Sequence, residues 1–180
     1  MVYVFLADGF EETEALVPVD LMKRAGIKVT TVGVGSTTPT GSHGITVMAD
    51  ISEEIFLPGD DLEAIVLPGG MPGTRNLEMS AAVKRAVRLA SEEEITVAAI
   101  CAAPSILAHE NLLRGKQATV FPGYEQDLGD SYTDQDVVYD APFLTAKAAG
   151  KAVDFALRLI EVIKDAETAQ KVAQSIFYKC

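Results

Sequence analysis

With 180 residues, 48% of them hydrophobic and 23% charged, the chain has the size and composition of one globular domain, residues 1–180, whose core needs neither disulfides nor a metal. Its net charge of −11, spread along the sequence, repels phosphate backbones and anionic headgroups, so small molecules or other protein chains are expected as partners, with no nucleic acid and no membrane. Two cysteines, no basic leader before Val2 and no apolar stretch of the ~18 residues needed to span a bilayer point to a reduced, cytoplasmic protein.

Val2–Leu6 is a short apolar run and reads as a buried strand that hands over, through Ala7-Asp8-Gly9, to a helix. Asp8 with Glu11 fits an N-terminal cap, Glu11, Glu12 and Glu14 suit the first turns, and Gly26 stops the helix near Ala25. A second strand is expected at Ile27–Val34, a turn at Gly35–Gly41, and a strand at Ile45–Ala49 closing a hairpin-like excursion. Leu62–Leu67 reads as a strand ending in Pro68-Gly69-Gly70, and Thr74–Ala90 has helical spacing. Ile95–Ile100 is apolar on both faces, as in a central parallel strand, and ends at Cys101; Pro104 suits the first turn of the next helix. Further strands are read at Ala118–Val120, Val137–Tyr139 and Pro142–Thr145, and helices at Gly150–Ile163 and Ala166–Tyr178. Strands alternating with helices predict an α/β fold with a doubly wound, mostly parallel sheet.

In such sheets ligands bind outside the carboxyl ends of the strands, which directs attention to Ala7–Phe10, Pro68–Gly73, Cys101–Pro104 and Phe121–Tyr124. Ala99-Ile100-Cys101-Ala102-Ala103 sets a nucleophile between residues with almost no side chain, as a strained strand-to-helix nucleophile elbow requires. A helix amino end there would lower the thiol pKa; a buried structural cysteine is the plainer alternative. Leu67-Pro68-Gly69-Gly70 can turn backbone N–H groups onto a bound oxygen, with Gly70 and Ala102 forming an oxyanion hole, or can be a simple turn. Glu14 lies about one turn beyond Asp8-Gly9-Phe10; near the strand ends, burial would raise its pKa and let it donate a hydrogen bond to a thiolate, although glutamates in first turns commonly serve only the helix dipole.

Together these segments resemble the ThiJ/PfpI family, the group that includes the parkinsonism-associated deglycase, over nearly the whole chain. The resemblance rests on the ordered set Asp8-Gly9-Phe10-Glu11-Glu12-Thr13-Glu14, Val17-Pro18-Val19-Asp20, Arg24-Ala25-Gly26, Leu67-Pro68-Gly69-Gly70 and Ala99-Ile100-Cys101-Ala102-Ala103-Pro104. It implies a flavodoxin-like sandwich with helices on both faces of the sheet, usually a homodimer, with Cys101 as nucleophile, Glu14 as its protonated partner, Gly70 and Ala102 as backbone donors, and Gly69 and Phe121 in the pocket. The family's peptidase branch usually has histidine directly after the cysteine, where this chain has Ala102, so a peptidase dyad is disfavoured. The closer branch often carries a histidine where this chain has Phe121.

Only His43 and His109 remain as imidazole bases. His109, toward the end of the elbow helix, is read as structural. His43 matches a loop that in relatives reaches the partner's pocket, and is expected to complete the neighbouring site in trans. The expected activity is that of a glyoxalase or deglycase on α-oxoaldehydes such as methylglyoxal, the small carbonyl substrate being attacked by Cys101 while Glu14 carries the proton. No cluster with ligand spacing predicts a metal, and no organic cofactor is expected. The competing expectation is an oxidation-responsive stress protein or chaperone in which Cys101 senses peroxide. Cys180, at the end of the chain, is read as incidental.

Overall fold

The computed structural model describes residues 1–179; Cys180 lies outside them. Seven strands form one sheet: β1 (Val2–Ala7), β2 (Val29–Val34), β3 (Ile51–Ser52), β4 (Ala64–Leu67), β5 (Thr96–Ile100), β6 (Val137–Asp140) and β7 (Phe143–Ala146), in the order β3-β2-β1-β4-β5-β7-β6. All neighbours are parallel except β6 and β7, whose register pairs Asp140 with Phe143 across the two-residue Ala141-Pro142 link. So short a link allows only an antiparallel return, whereas parallel strands need a crossover.

The helices are α1 (Glu12–Arg24), α2 (Gly73–Met79), α3 (Ala81–Glu92), α4 (Pro104–His109), α5 (Glu125–Leu128), α6 (Ala152–Ile163) and α7 (Ala166–Ser175). Strand side chains alternate between two cores, as the pleat requires. Val2, Val4 and Leu6 of β1 and Ala98 and Ile100 of β5 join α1, α6 and α7 on one face. Phe5 and Ala7, with Val97 and Ala99, join Leu77 of α2, α3 and α4 on the other. This is the doubly wound architecture that the strand–helix alternation predicts, and no helix among the described residues is long and apolar enough to cross a membrane.

The expected strand at Ile45–Ala49 does not form. That segment folds back on its own loop, with Gly41 N–H on the Ile45 carbonyl and Val47 N–H on that of Pro39, and leaves Ile45 and Met48 exposed. Among the described residues its ladder contact is an isolated bridge between Thr40 and Thr46, and the sheet edge is supplied by β3 instead. Ala118–Val120 makes a single bridge, from Ala118 to Tyr132, because the Thr119 N–H is taken by the Thr145 hydroxyl at 2.9 Å. The helix expected over Thr74–Ala90 divides at Ser80, whose extended backbone ends α2 and whose hydroxyl accepts the Val83 N–H to start α3. The last helix ends at Ser175, short of Tyr178.

Candidate active site

The carboxyl ends of β1, β4 and β5 meet at one point, and close packing of their loops defines it. Cys101 directly follows β5 with φ of +64°, a left-handed conformation that costs energy in any residue with a Cβ. Its backbone is tied on both sides: the N–H donates to the Ala146 carbonyl at 2.9 Å, and its carbonyl accepts the Phe121 N–H at 2.8 Å. Ala99, Ala102 and Ala103 are buried around it, as an elbow of small residues requires.

The turn after β4 lies against this elbow. A Cβ on Gly69 would stand 2.7 Å from both the Cys101 Cβ and Glu14 Oε2, and one on Gly70 would stand 2.4 Å from the Glu11 nitrogen. Gly70 also has φ of +89°, so both positions need glycine.

Glu14 reaches this point from the first turn of α1 and is 1% exposed. Its Oε2 accepts the Gly69 N–H at 2.9 Å, and its carboxyl also meets the Cys101 side chain and the backbone N–H of Ala149 in the loop after β7. Burial, followed by the charge of Glu11, pushes the carboxyl up to about 7 against the hydrogen bonds that favour ionisation. The backbone N–H groups of Ala102 and Gly70 face the Cys101 sulfur, so the four positions read from the sequence around the thiol do converge.

The thiol itself departs from expectation. Burial, then the charge of Glu14 and the hydrogen bond to it, push Cys101 up to about 12, outweighing the Ala102 and Gly70 donors. The helix that was to stabilise a thiolate, α4, has six residues and begins three positions beyond Cys101, so its dipole is small. Glu14 and Cys101 behave as one acidic pair: an ionised Glu14 opposes a thiolate, and a protonated Glu14 can donate a hydrogen bond to one.

His43 stands on the excursion after β2 with its side chain 71% exposed. Its Nδ1 pairs with Glu12 Oε2 at 2.8 Å, and Glu12 Oε1 accepts the backbone N–H of His43 at 2.8 Å and of Ile45 at 3.3 Å. Burial works against ionisation of Glu12, but these partners hold it down to about 2. Glu11, Glu12 and His43 bring one donor atom each within 4.8 Å, a grouping the sequence spacing did not reveal. The Glu12 oxygens are already engaged, and the amino end of α1 opposes a cation. Phe121 is 41% exposed and is joined to the site through its backbone. His109 bonds Glu78 at the surface.

Two contributors escaped the sequence reading. The helix cap expected at Asp8 belongs to Glu11, whose Oε2 accepts the Glu14 N–H at 2.7 Å, while Asp8 accepts the Thr40 N–H. The Glu11–Glu14 spacing was a usable signal for this cap. Ala149 acts through its backbone, which no side-chain pattern marks.

The family model described as DJ-1/PfpI matches residues 1–162. Among curated proteins, Drosophila melanogaster protein dj-1beta is 34% identical over 96% of this chain and 94% of its own length. A deglycase of Pyrococcus abyssi is 32% identical over 91% of this chain and 99% of its own length. Among solved structures, Drosophila melanogaster DJ-1beta superposes with a TM-score of 0.94 at 33% identity, covering 99% of this chain and 98% of the other. Oxidized Toxoplasma gondii DJ-1 gives 0.92 at 31% identity with the same coverage.

Proposed function

We propose that this chain, which belongs to the DJ-1/PfpI family, is a cysteine-dependent glyoxalase or deglycase acting on small α-oxoaldehydes or their protein adducts. The observation that carries this reading is the buried carboxyl of Glu14 against the Cys101 side chain, with Gly70 and Ala102 N–H groups on the same sulfur. The relationship to the Pyrococcus abyssi deglycase supports it.

In this reading the Glu14 carboxylate takes the Cys101 proton as the sulfur adds to the aldehyde carbon and passes it to the new alkoxide, giving the hemithioacetal and restoring the carboxylate. The Gly70 and Ala102 donors hold the developing oxyanion. The Glu14 carboxylate then removes the hydrogen on the former aldehyde carbon and returns it to the neighbouring one, while the hemithioacetal hydroxyl proton passes to the neighbouring carbonyl oxygen, converting the hemithioacetal into a 2-hydroxy thioester. Water hydrolyses the thioester, releasing the hydroxy acid and restoring the thiol, so methylglyoxal plus water gives lactate with no net oxidation. A Glu14 that titrates near 7 can both give and take this proton at neutral pH.

We assign the activity to one 180-residue domain working in a reducing cytoplasm, with a second copy of the chain as partner. The excursion bearing exposed His43 and Ile45 is the element assigned to that contact. The test is methylglyoxal consumption with lactate formation at equal folded concentration. Turnover by the wild type, lost in Cys101→Ser and in Glu14→Gln, supports the reading; a silent wild type overturns it. The second reading, a peroxide sensor, is favoured by the same acid beside sulfur, since protonated Glu14 can donate to a sulfinate. Selective oxidation of Cys101 by mild peroxide without turnover would place the chain there.

A further inference from the structure

Glu11 touches the site at three points without reaching the sulfur. Its Oε2 accepts the Glu14 N–H at 2.7 Å. Its own N–H donates to the Gly69 carbonyl at 2.9 Å, in the turn whose Gly69 N–H holds the Glu14 carboxyl. The Cβ position of Gly70 lies 2.4 Å from its nitrogen. One residue therefore fixes the start of α1, the turn after β4 and the backbone from which Glu14 projects.

We infer that Glu11 is a positioning residue of this site: it caps the turn that carries Glu14, ties that turn to Gly69 and sets a second negative charge beside the carboxyl that meets the Cys101 sulfur. The inference rests on the proposed role of Glu14 as proton carrier and adds what sets its protonation. The groups facing Glu14 come from every element packed against it. Glu11 faces it from α1 and Cys101 from the elbow after β5, while the loops after β4 and β7 present the N–H groups of Gly69 and Ala149. A second carboxylate among them disfavours ionisation of Glu14 in addition to burial. Around Glu11 itself the His43 Nδ1 lies 4.0 Å from Oε1 but is committed to Glu12 at 2.8 Å, so it screens Glu11 only in part.

The experiment follows alkylation of Cys101 by iodoacetamide against pH on the intact chain, with the Cys101 peptide resolved from that of Cys180 by mass spectrometry. The first ionisation of the Glu14–Cys101 pair appears as an inflection near neutrality. Glu11→Gln keeps an oxygen to accept the Glu14 N–H and removes the charge, and its inflection is expected about half to one pH unit lower. Glu11→Asp keeps both cap and charge and is expected to retain the wild-type midpoint, whereas Glu14→Gln loses the inflection. An unchanged midpoint in Glu11→Gln, an equal shift in Glu11→Asp, or an inflection that survives in Glu14→Gln overturns the inference. Because alkylation needs no turnover, a chain inactive on glyoxals would end the functional reading while this comparison still decides the role of Glu11.

Discussion

The Gly69 N–H donates to Glu14 Oε2 at 2.9 Å, and the Cβ that Gly69 lacks would lie 2.7 Å from that same oxygen. One residue thus supplies a hydrogen bond and the space in which the bond is made. Gly69→Ala is expected to drive the Glu14 carboxyl and the Cys101 Cβ apart. Misplacement on this scale costs about 100-fold in kcat/KM where geometry is set by positioning. Glyoxal turnover by the variant, with circular dichroism to show that the fold persists, checks this, and near-normal turnover would show that the acid–thiol contact is not needed.

Stability should depend on pH through Glu14. Its carboxyl rises from an ordinary 4.5 in the unfolded chain to about 7 in the folded one, so the folded state holds the extra proton between these values. The Glu14 contribution to stability is therefore greatest below 4.5 and is lost as the pH climbs through about 7. Relative to Glu14→Gln, the wild type is expected to lose on the order of 3 kcal/mol across that window. Urea unfolding of both proteins at a series of pH values measures the difference, and parallel curves would contradict it.

The Glu12 side of the Glu12–His43 contact has the opposite dependence. Glu12 is held down to about 2, so its contribution is present above 4.5 and is lost as the pH falls through about 2. The Glu12 side chain raises the pKa of His43, so the charged pair is complete below the imidazole's ordinary range and weakens as the pH rises through its raised value. Glu12→Gln removes the charge that draws in the backbone N–H groups of His43 and Ile45. Faster amide hydrogen exchange at His43 and Ile45, with β1 and β5 unchanged, is the expected result.

Much of this was legible in the residues. Ile95–Ile100 ran apolar on both faces because β5 is covered by helices on both sides, and small neighbours marked Cys101 as an elbow. Ile45–Ala49 misled because its β-branched residues pair with their own loop, where one ladder contact replaces a strand. The break at Ser80 was hidden by helical spacing that continues across two helices, although the serine was a readable cap. The thiol's direction was misjudged because it depends first on burial, then on a carboxylate from α1, and because the following helix proved short, none of which the residues next to Cys101 reveal.

The short α4 has a consequence for redesign. With little helix field behind it, the thiol is pushed up by burial and by a carboxyl from a segment laid down at the start of the chain, against the N–H groups of Ala102 and Gly70. Part of the control therefore lies apart from the scaffold, and the titration of this thiol can be shifted by editing the opening turn of α1 with the backbone that carries the sulfur left untouched.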